Sequence, residues 1–334
     1  MFPYPLLVCD IGGTNARFAS VAGPSAPLVA EAHLKTGNFA SLEEALQEVL
    51  AGLASKPRSL IACVAGPVRG RFVKMTNADW VIDGAAVAAR TGLDQGLLLN
   101  DFEAQAFSLP VLKPDWVKPL ASFERQPGPQ LIVGLGTGLG VAALIEVSGR
   151  YLVLPSEAGH MSFGPIGPEQ EAVWKHIDTG GLERISTETI LSGHGLLRLH
   201  QARCLAADRP TDIFNEITLI ETAKNHPQGE EARTLRYAWA LTARFAGDLA
   251  LAFLTVGGVT FAGGVLPRLL DFFDPQEFRH AFEDKAPYGE MMAAIGTQLI
   301  LTEDTVLAGM AAIAAAPERY AIDYPARAWR WPAE

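Results

Sequence analysis

Cysteine is scarce in this chain of 334 residues: there are three, Cys9, Cys63 and Cys204, with no CxxC pair and no Cys/His ligand spacing. So sparse and odd a set argues against a secreted, disulfide-built protein. Cys9 and Cys63 sit in apolar runs and read as small core hydrophobes. Long hydrophobic runs are also missing. The longest, Leu249 to Gly264, is interrupted by Gly257-Gly258 and falls short of the roughly 20 residues that span a bilayer. The N-terminus MFPYPLLVCD has no basic region and one short apolar run before Asp10, so a signal peptide is not expected. Positive charge is in deficit, with 27 Lys and Arg against 37 Asp and Glu and a net charge of −10. That balance speaks against nucleic acid or an anionic membrane as a partner of the general surface. Charged residues make up only 19% of the chain and hydrophobic ones 49%, a composition that excludes general disorder. At roughly 150 residues per domain the length implies two domains. The expected compartment is the cytoplasm.

Strand and helix signals alternate along the chain. Leu6 to Cys9, Ala16 to Ala22 and Leu28 to Leu34 read as strands between glycine and proline turns. Ser41 with Glu44 has the spacing of a capping box and opens a helix to about Leu53. Leu60 to Ala65 is strand-like, and Val68 to Met75 is expected to pair back on it across Gly66-Pro67. Asp83 caps a helix to Gly92, Leu97 to Leu99 is a strand, and Phe102 to Leu109 a helix. The proline-spaced stretch from Pro110 to Pro129 reads as a domain boundary. Beyond it come strands at Leu131 to Leu135, Leu139 to Val147 and Tyr151 to Leu154. A mostly helical region follows from about Glu169 to Thr255, then a strand at Val259 to Ala262 leading through Gly263-Gly264 into another helix. A strand at Gln298 to Leu301 and an Ala-rich helix from Asp304 to Ala316 complete the pattern. This is the alternation of an α/β protein. One echo stands out: LLVCDIGGTNARFASV and LIVGLGTGLGVAALIE share an apolar strand, a glycine turn and a second apolar strand, the mark of two related halves.

The glycine turns carry the first chemistry. In Asp10-Ile-Gly-Gly-Thr14, Gly12 and Gly13 leave backbone N–H groups accessible to a phosphate, Thr14 adds a hydroxyl, and Asp10 offers a carboxylate to a hydrated Mg²⁺. A plain hairpin needs the same residues. The pattern is neither the lysine-containing phosphate loop nor a GxGxxG that opens a helix. Gly134-Leu-Gly-Thr-Gly-Leu-Gly140 has four glycines in seven residues around Thr137 and suits a second phosphate clamp. In the third motif, Gly263 and Gly264 end a strand where a flat ring or ribose could approach the backbone; close packing of strand on helix is the alternative.

Polar residues at element ends carry the rest. Asn100 and Asp101 end a buried strand, where ligands sit in α/β folds, although Asp101 would also serve as a helix N-cap. Glu157 and His160, three apart on a glycine-containing loop, can bracket adjacent hydroxyls of a polyol. Glu188 precedes LSGHGL, and Thr76 and Asn77 with Trp80 offer further hydroxyl-binding groups. Each has a bland counterpart as a loop, turn or surface residue.

In order, DIGGTNAR, NDF, GTGLG, LPSEAGH, Glu188 before LSGHGL, GGVTFAGG and FAGGVLPRLLDFF with FRHAFEDK run from Leu6 to about Ala315. The set resembles the bacterial ATP-dependent glucokinases, in the branch of the hexokinase–actin-like superfamily that lacks a zinc motif. Three scattered cysteines cannot supply the zinc signature of the related repressor/kinase branch. The resemblance implies two actin-like, ribonuclease-H-like α/β domains with mixed sheets flanking a central cleft. Residues 1–110 plus about 302–316 would form the smaller and 111–301 the larger, with 317–334 a tail outside the likeness. It also implies ATP and D-glucose as substrates, ADP as a product, Mg²⁺ as cofactor, glucose phosphorylation as the first step of glycolysis, and a homodimer. Nucleotide phosphates would lie on Asp10, Gly12, Gly13, Thr14, Asn15, Gly136, Thr137 and Gly138, with the nucleoside near Gly263 and Gly264. Mg²⁺ would reach Asp10 through water. Glucose would be held by Asn100, Asp101, Glu157, His160 and Glu188, with Asp101 as the general base, and Thr76 and Asn77 join the sugar set on residue type alone. Cys9, Ser156, Ala158, Thr189 and His194 depart from residues frequent in that family, which bears on loop shape and sugar affinity more than on reaction type. The alternatives are a kinase for another hexose or amino sugar, or a non-enzymatic sugar sensor on the same fold.

Overall fold

Apolar runs closed by glycine turns become the strands of two six-stranded sheets. The computed structural model describes residues 2–76, 78–121 and 126–330. Its strands are β1 (Leu6–Ile11), β2 (Asn15–Val21), β3 (Leu28–Lys35), β4 (Ser59–Val64), β5 (Phe72–Lys74), β6 (Val81–Asp83), β7 (Gln95–Asn100), β8 (Val117–Pro119), β9 (Gln130–Leu135), β10 (Leu139–Val147), β11 (Arg150–Ser156), β12 (Val259–Ala262), β13 (Thr297–Ile300) and β14 (Ala328–Arg330). One sheet has the order β14-β7-β4-β1-β2-β3 and the other β11-β10-β9-β12-β13-β8. The duplicated plan is visible in these orders: three consecutive strands, then two that come later in the chain, then a short edge strand. In the first sheet β4 runs parallel to β1 and β7 parallel to β4, while β2 and β14 pair antiparallel. In the second, β12 runs parallel to β9 and to β13, and β8 closes the edge antiparallel. Parallel central strands buried on both faces need continuous apolar sequence, which β4 supplies with all six residues buried.

The chain divides into two compact units: Met1–Lys113 with Leu144–Leu154 and Thr302–Glu334, and Pro114–Ala143 with Pro155–Leu301. In the first, helices α1 (Leu42–Gly52), α2 (Gly84–Thr91) and α3 (Asp101–Ser108) and the helix Thr305–Ala315 accompany the sheet. Its core joins Leu7, Ile11 and Phe18 to Leu42, Leu46, Ile82 and Trp329. Asp83 caps α2 by accepting from the Ala85 amide at 2.9 Å, and Gly92 ends it at φ 67°. In the second unit the long helix Glu230–Phe253 buries Leu235, Trp239, Phe245 and Leu249. Trp239 also donates from its indole N–H to the Leu269 carbonyl at 2.9 Å. Among the described residues no helix is long and apolar enough to cross a membrane.

Three local expectations are corrected. Val68 to Met75 does not return to β4: β5 pairs instead with β6, Val73 opposite Ile82, because Gly66-Pro67 redirects the chain without specifying a partner. The segment after Gly263-Gly264 is a seven-residue 3₁₀ helix, Leu266–Phe272, with proline in its first turn. At α1, Ser41 accepts from the Glu44 amide as expected, but the Glu44 carboxylate reaches back to the Ala40 amide rather than to that of Ser41. Residues 318–330 are structured as well, and β14 forms the edge of the first sheet.

Candidate active site

In the first unit the site grows from two strand ends. β1 delivers Asp10 and turns through Gly12, Gly13 and Thr14 into β2. The Gly12 amide closes the turn on the Asn15 carbonyl at 2.9 Å, which leaves Gly13 and the exposed Thr14 at its tip. Asn15 begins β2, and its side chain accepts from Lys35 at 2.8 Å. Asp10 receives the Arg17 guanidinium at 2.5 Å and the Cys63 thiol at 3.2 Å. Arg17 in turn pairs with Glu303 at 2.8 Å. Sequence reasoning overlooked Arg17 and Cys63; only strand pairing brings them to Asp10. Cys9, Cys63 and Cys204 are buried and unpaired, and burial pushes the Cys9 and Cys63 thiols well up.

β7 delivers the second strand end. The N-cap of α3 is Asn100 rather than Asp101: its Oδ1 accepts from the Phe102 and Glu103 amides at 3.0 and 3.2 Å, and Glu103 completes a capping box. Its Nδ2 donates to the Gly66 carbonyl and to Asp101 Oδ1. All four hydrogen-bonding positions of Asn100 are thus used internally, and a sugar hydroxyl would have to displace one. Asp101 is the first residue of the helix, and its Oδ1 also takes the Phe102 amide at 3.0 Å. Burial, with Asp10 as a like charge nearby, raises its carboxyl from 3.8 to about 6, against the helix amides that lower it. Thr76 is exposed, with its amide on the Ala65 carbonyl. Asn77 lies outside the described residues. Trp80 is not available to a ligand: it is buried, and its N–H is donated to the Phe39 carbonyl.

The second unit brings three of the candidate residues together. His160 Nε2 lies 4.0 Å from Glu157 and His160 Nδ1 3.9 Å from Glu188. Glu157 is 93% exposed at its side chain and Glu188 31%. Glu188 also accepts from the Leu139 amide at 2.7 Å. A Cβ on Gly138 would stand 2.5 Å from the Glu188 carboxylate, so the glycine turn and the glutamate are fitted to each other. Two departures have local roles. Ser156 accepts from the Ala158 amide, shaping the EAGH loop, and buried Thr189 forms a capping box with Ser186.

A cavity of about 410 Å³ joins the second and third glycine motifs; Gly136, Thr137, Gly193, His194 and Gly264 line it, with Glu216 and Arg268 paired at 2.7 Å on its wall. That volume is in the range of small-molecule sites. Gly264 has open space where a side chain would be, whereas Gly263, at φ 88°, is required by packing, since a Cβ there would meet the Leu135 carbonyl at 2.2 Å. Glu216 and Arg268 are 52 residues apart and gave no local signal in the sequence.

Two mixed sheets, each with a glycine hairpin, and a largely buried carboxylate at a helix start fit the class of sugar kinases and their relatives. The profile of the family described as Glucokinase matches residues 7–317. Among curated relatives, the glucokinase of Sinorhizobium fredii is 37% identical over 98% of this chain and 97% of its own length, and that of Brucella suis 37% over 98% and 96%. The crystal structure of a glucokinase from an Antarctic psychrotroph superimposes with a TM-score of 0.80 at 27% identity, covering 92% of this chain and 97% of that one. The chain belongs to the glucokinase family. A glucokinase from Balamuthia mandrillaris in complex with glucose shares the fold at 19% identity, with a TM-score of 0.78 and 93% of each chain covered. A ROK-family transcriptional regulator also shares it, with a TM-score of 0.65 at 14% identity, covering 93% of this chain and 78% of that one, so the architecture alone does not separate catalysis from sensing.

Proposed function

We propose that this protein transfers the γ-phosphoryl group of ATP to the C6 hydroxyl of D-glucose, giving glucose 6-phosphate and ADP. Family membership supports the reaction, and one observation carries the mechanism: Asp101, a mostly buried carboxylate raised to about 6, stands at the start of α3 with Oδ1 held by the protein. Such a group is ionised at neutral pH and close enough to it to take a proton efficiently. Oδ2 accepts the C6 proton as the bond from O6 to phosphorus forms and the bond from phosphorus to the β-phosphate oxygen breaks. Glu157, His160 and Glu188 fix the ring hydroxyls; charged acceptors punish a missing or inverted hydroxyl more than neutral ones do. Thr76 and Asn77 belong to the same sugar set. The amides of the Gly12–Thr14 and Gly136–Gly138 turns hold the phosphates, and the cavity at Gly264 takes the nucleoside. Phosphoryl transfer of this kind is mostly positioning and electrostatics.

Mg²⁺ fits this chain in one way. Among the described residues no three His, Cys, Asp or Glu side chains converge on a metal; Asp10 is the residue that would hold a nucleotide-borne Mg²⁺, through its water shell. Bound there, the ion would neutralise charge on the transferring group. Asp10→Asn should loosen the Arg17 pair and raise the KM for Mg-ATP roughly 10-fold, the scale of a hydrogen bond to a charged group. Glucose binding to the free enzyme, followed by tryptophan fluorescence, should stay near normal. The family resemblance further supports a cytoplasmic homodimer acting at the entry to glycolysis. A coupled assay with glucose, ATP and Mg²⁺ tests the reaction, and initial rates across a panel of hexoses, amino sugars and phosphoryl donors test the choice of substrate. No turnover with any pair would return the chain to the sensor reading.

A further inference from the structure

The end of the chain grips the helix that carries Asp101. Arg327 donates from Nη1 to Glu103 Oε1 and from Nη2 to Glu103 Oε2, both at 2.7 Å, and Nη2 also reaches the Leu98 carbonyl at 2.9 Å. The pair is largely withdrawn from water, with side chains 18% and 16% exposed. Two parallel bonds fix orientation as well as distance. The same segment holds the other end of α3, where Tyr320 packs edge-on against Phe107 with ring centroids 5.3 Å apart. It is itself anchored. Asp323 caps the short helix Tyr324–Arg327, and β14 pairs with β7. Trp329 lies so close over the sheet that a Cβ on Gly84 or Gly96 would stand 2.5 or 2.0 Å from its ring.

Glu103 connects this grip to the site. Its Oε2 accepts from the Asn100 amide at 3.3 Å, and Asn100 in turn holds Asp101 Oδ1 at 2.9 Å. We propose that the segment from Pro317 to Arg330 is a strap that sets the aim of the base, with Arg327 as a positioning residue acting through Glu103 and the Asn100 cap. The proposal rests on the reading of Asp101 as the base. A strap of purely structural use would lower stability and leave turnover alone; a positioning strap lowers kcat in the folded enzyme, because small misplacements at a reacting atom are costly.

The test measures kcat, KM and melting temperature for Arg327→Ala, Arg327→Lys, Glu103→Gln, the Arg327→Ala/Glu103→Gln double variant and Asp101→Asn in the full chain. Arg327→Ala should lose roughly 10-fold or more in kcat at temperatures well below its own melting point, with the KM for ATP little changed. Arg327→Lys, which keeps the charge but not the fork, should recover part of the loss. Glu103→Gln keeps an acceptor for the Asn100 amide but not the ion pair. It should match Arg327→Ala, and the double variant should lose no more than either. Wild-type kcat in folded Arg327→Ala overturns the strap; if that variant does not fold, wild-type kcat in Glu103→Gln does so. An inactive Asp101→Asn beside a full-rate Arg327→Ala sinks the strap alone, whereas a fully active Asp101→Asn removes the base on which it rests.

Discussion

Asp101→Asn is expected to cut turnover on the order of 100-fold or more, the usual scale for loss of a general base, and to make the protein more stable at neutral pH. Both effects come from one fact. Burial raises the Asp101 carboxyl from 3.8 to about 6, so above pH 6 the folded protein holds a charge that the unfolded chain would hydrate more favourably. As pH falls from 6 towards 4 the folded form takes up a proton that the unfolded chain does not yet bind, and the wild type becomes more stable relative to the variant. The gain from Asp101→Asn is about 1–3 kcal/mol at pH 7.5 and should vanish near pH 4. Thermal melts across that range, with kcat measured in parallel, check both parts. The wild-type rate should also fall below about pH 6, as the base becomes protonated. Asn100, not Asp101, is the N-cap of α3, so the capping role cannot account for a loss at Asp101. Full activity in the variant would remove Asp101 from the mechanism.

Gly138→Ala and Gly159→Ala should fail in different ways. A Cβ at Gly138 meets the end of the Glu188 side chain at 2.5 Å, and that side chain can swing aside. Its aim at the sugar would then be lost, at a cost of about 1.5–3 kcal/mol for a charged hydrogen bond in the transition state, or roughly 10- to 100-fold in kcat/KM for glucose, along with its bond to the Leu139 amide. The melting temperature should fall by a few degrees at most. At Gly159 the Cβ would stand 2.1 Å from the Leu139 carbonyl, where only backbone can yield, so that variant should lose folding yield or melting temperature before kinetics can be compared. Steady-state kinetics and thermal melts on both proteins check the contrast; a Gly138→Ala enzyme with wild-type efficiency would mean that Glu188 does not read the sugar.

The parts of the site that were legible are those whose chemistry is local. The Gly12–Thr14 and Gly136–Gly138 turns follow from glycine between two apolar runs, and β10 and β12 span the residues their apolar stretches implied. The EAGH loop and Glu188 follow from residue type and family order, and the structure sets His160 between them, 4.0 Å from Glu157 and 3.9 Å from Glu188. What failed was choice among partners. Val68 to Met75 has the composition of a strand that could join either β4 or β6, and the turn before it does not decide. Asn100 and Asp101 are both good caps by type, and only the backbone geometry at the end of β7 gave the role to Asn100.

By itself, then, the sequence determined the α/β alternation, the doubled glycine hairpin, the family and the residue types of the candidate site, because each depends on neighbours along the chain. The tertiary structure alone decided which charges meet. Arg17 reaches Asp10 because β1 and β2 pair, Glu216 finds Arg268 across 52 residues, and Arg327 finds Glu103 across 224. Residues 318–330 carry no helical or strand period long enough to read. Their order comes from Trp329 seated over two glycines and from a fork on a buried carboxylate. Such contacts form only once the sheet beneath them exists, and no local pattern can announce them.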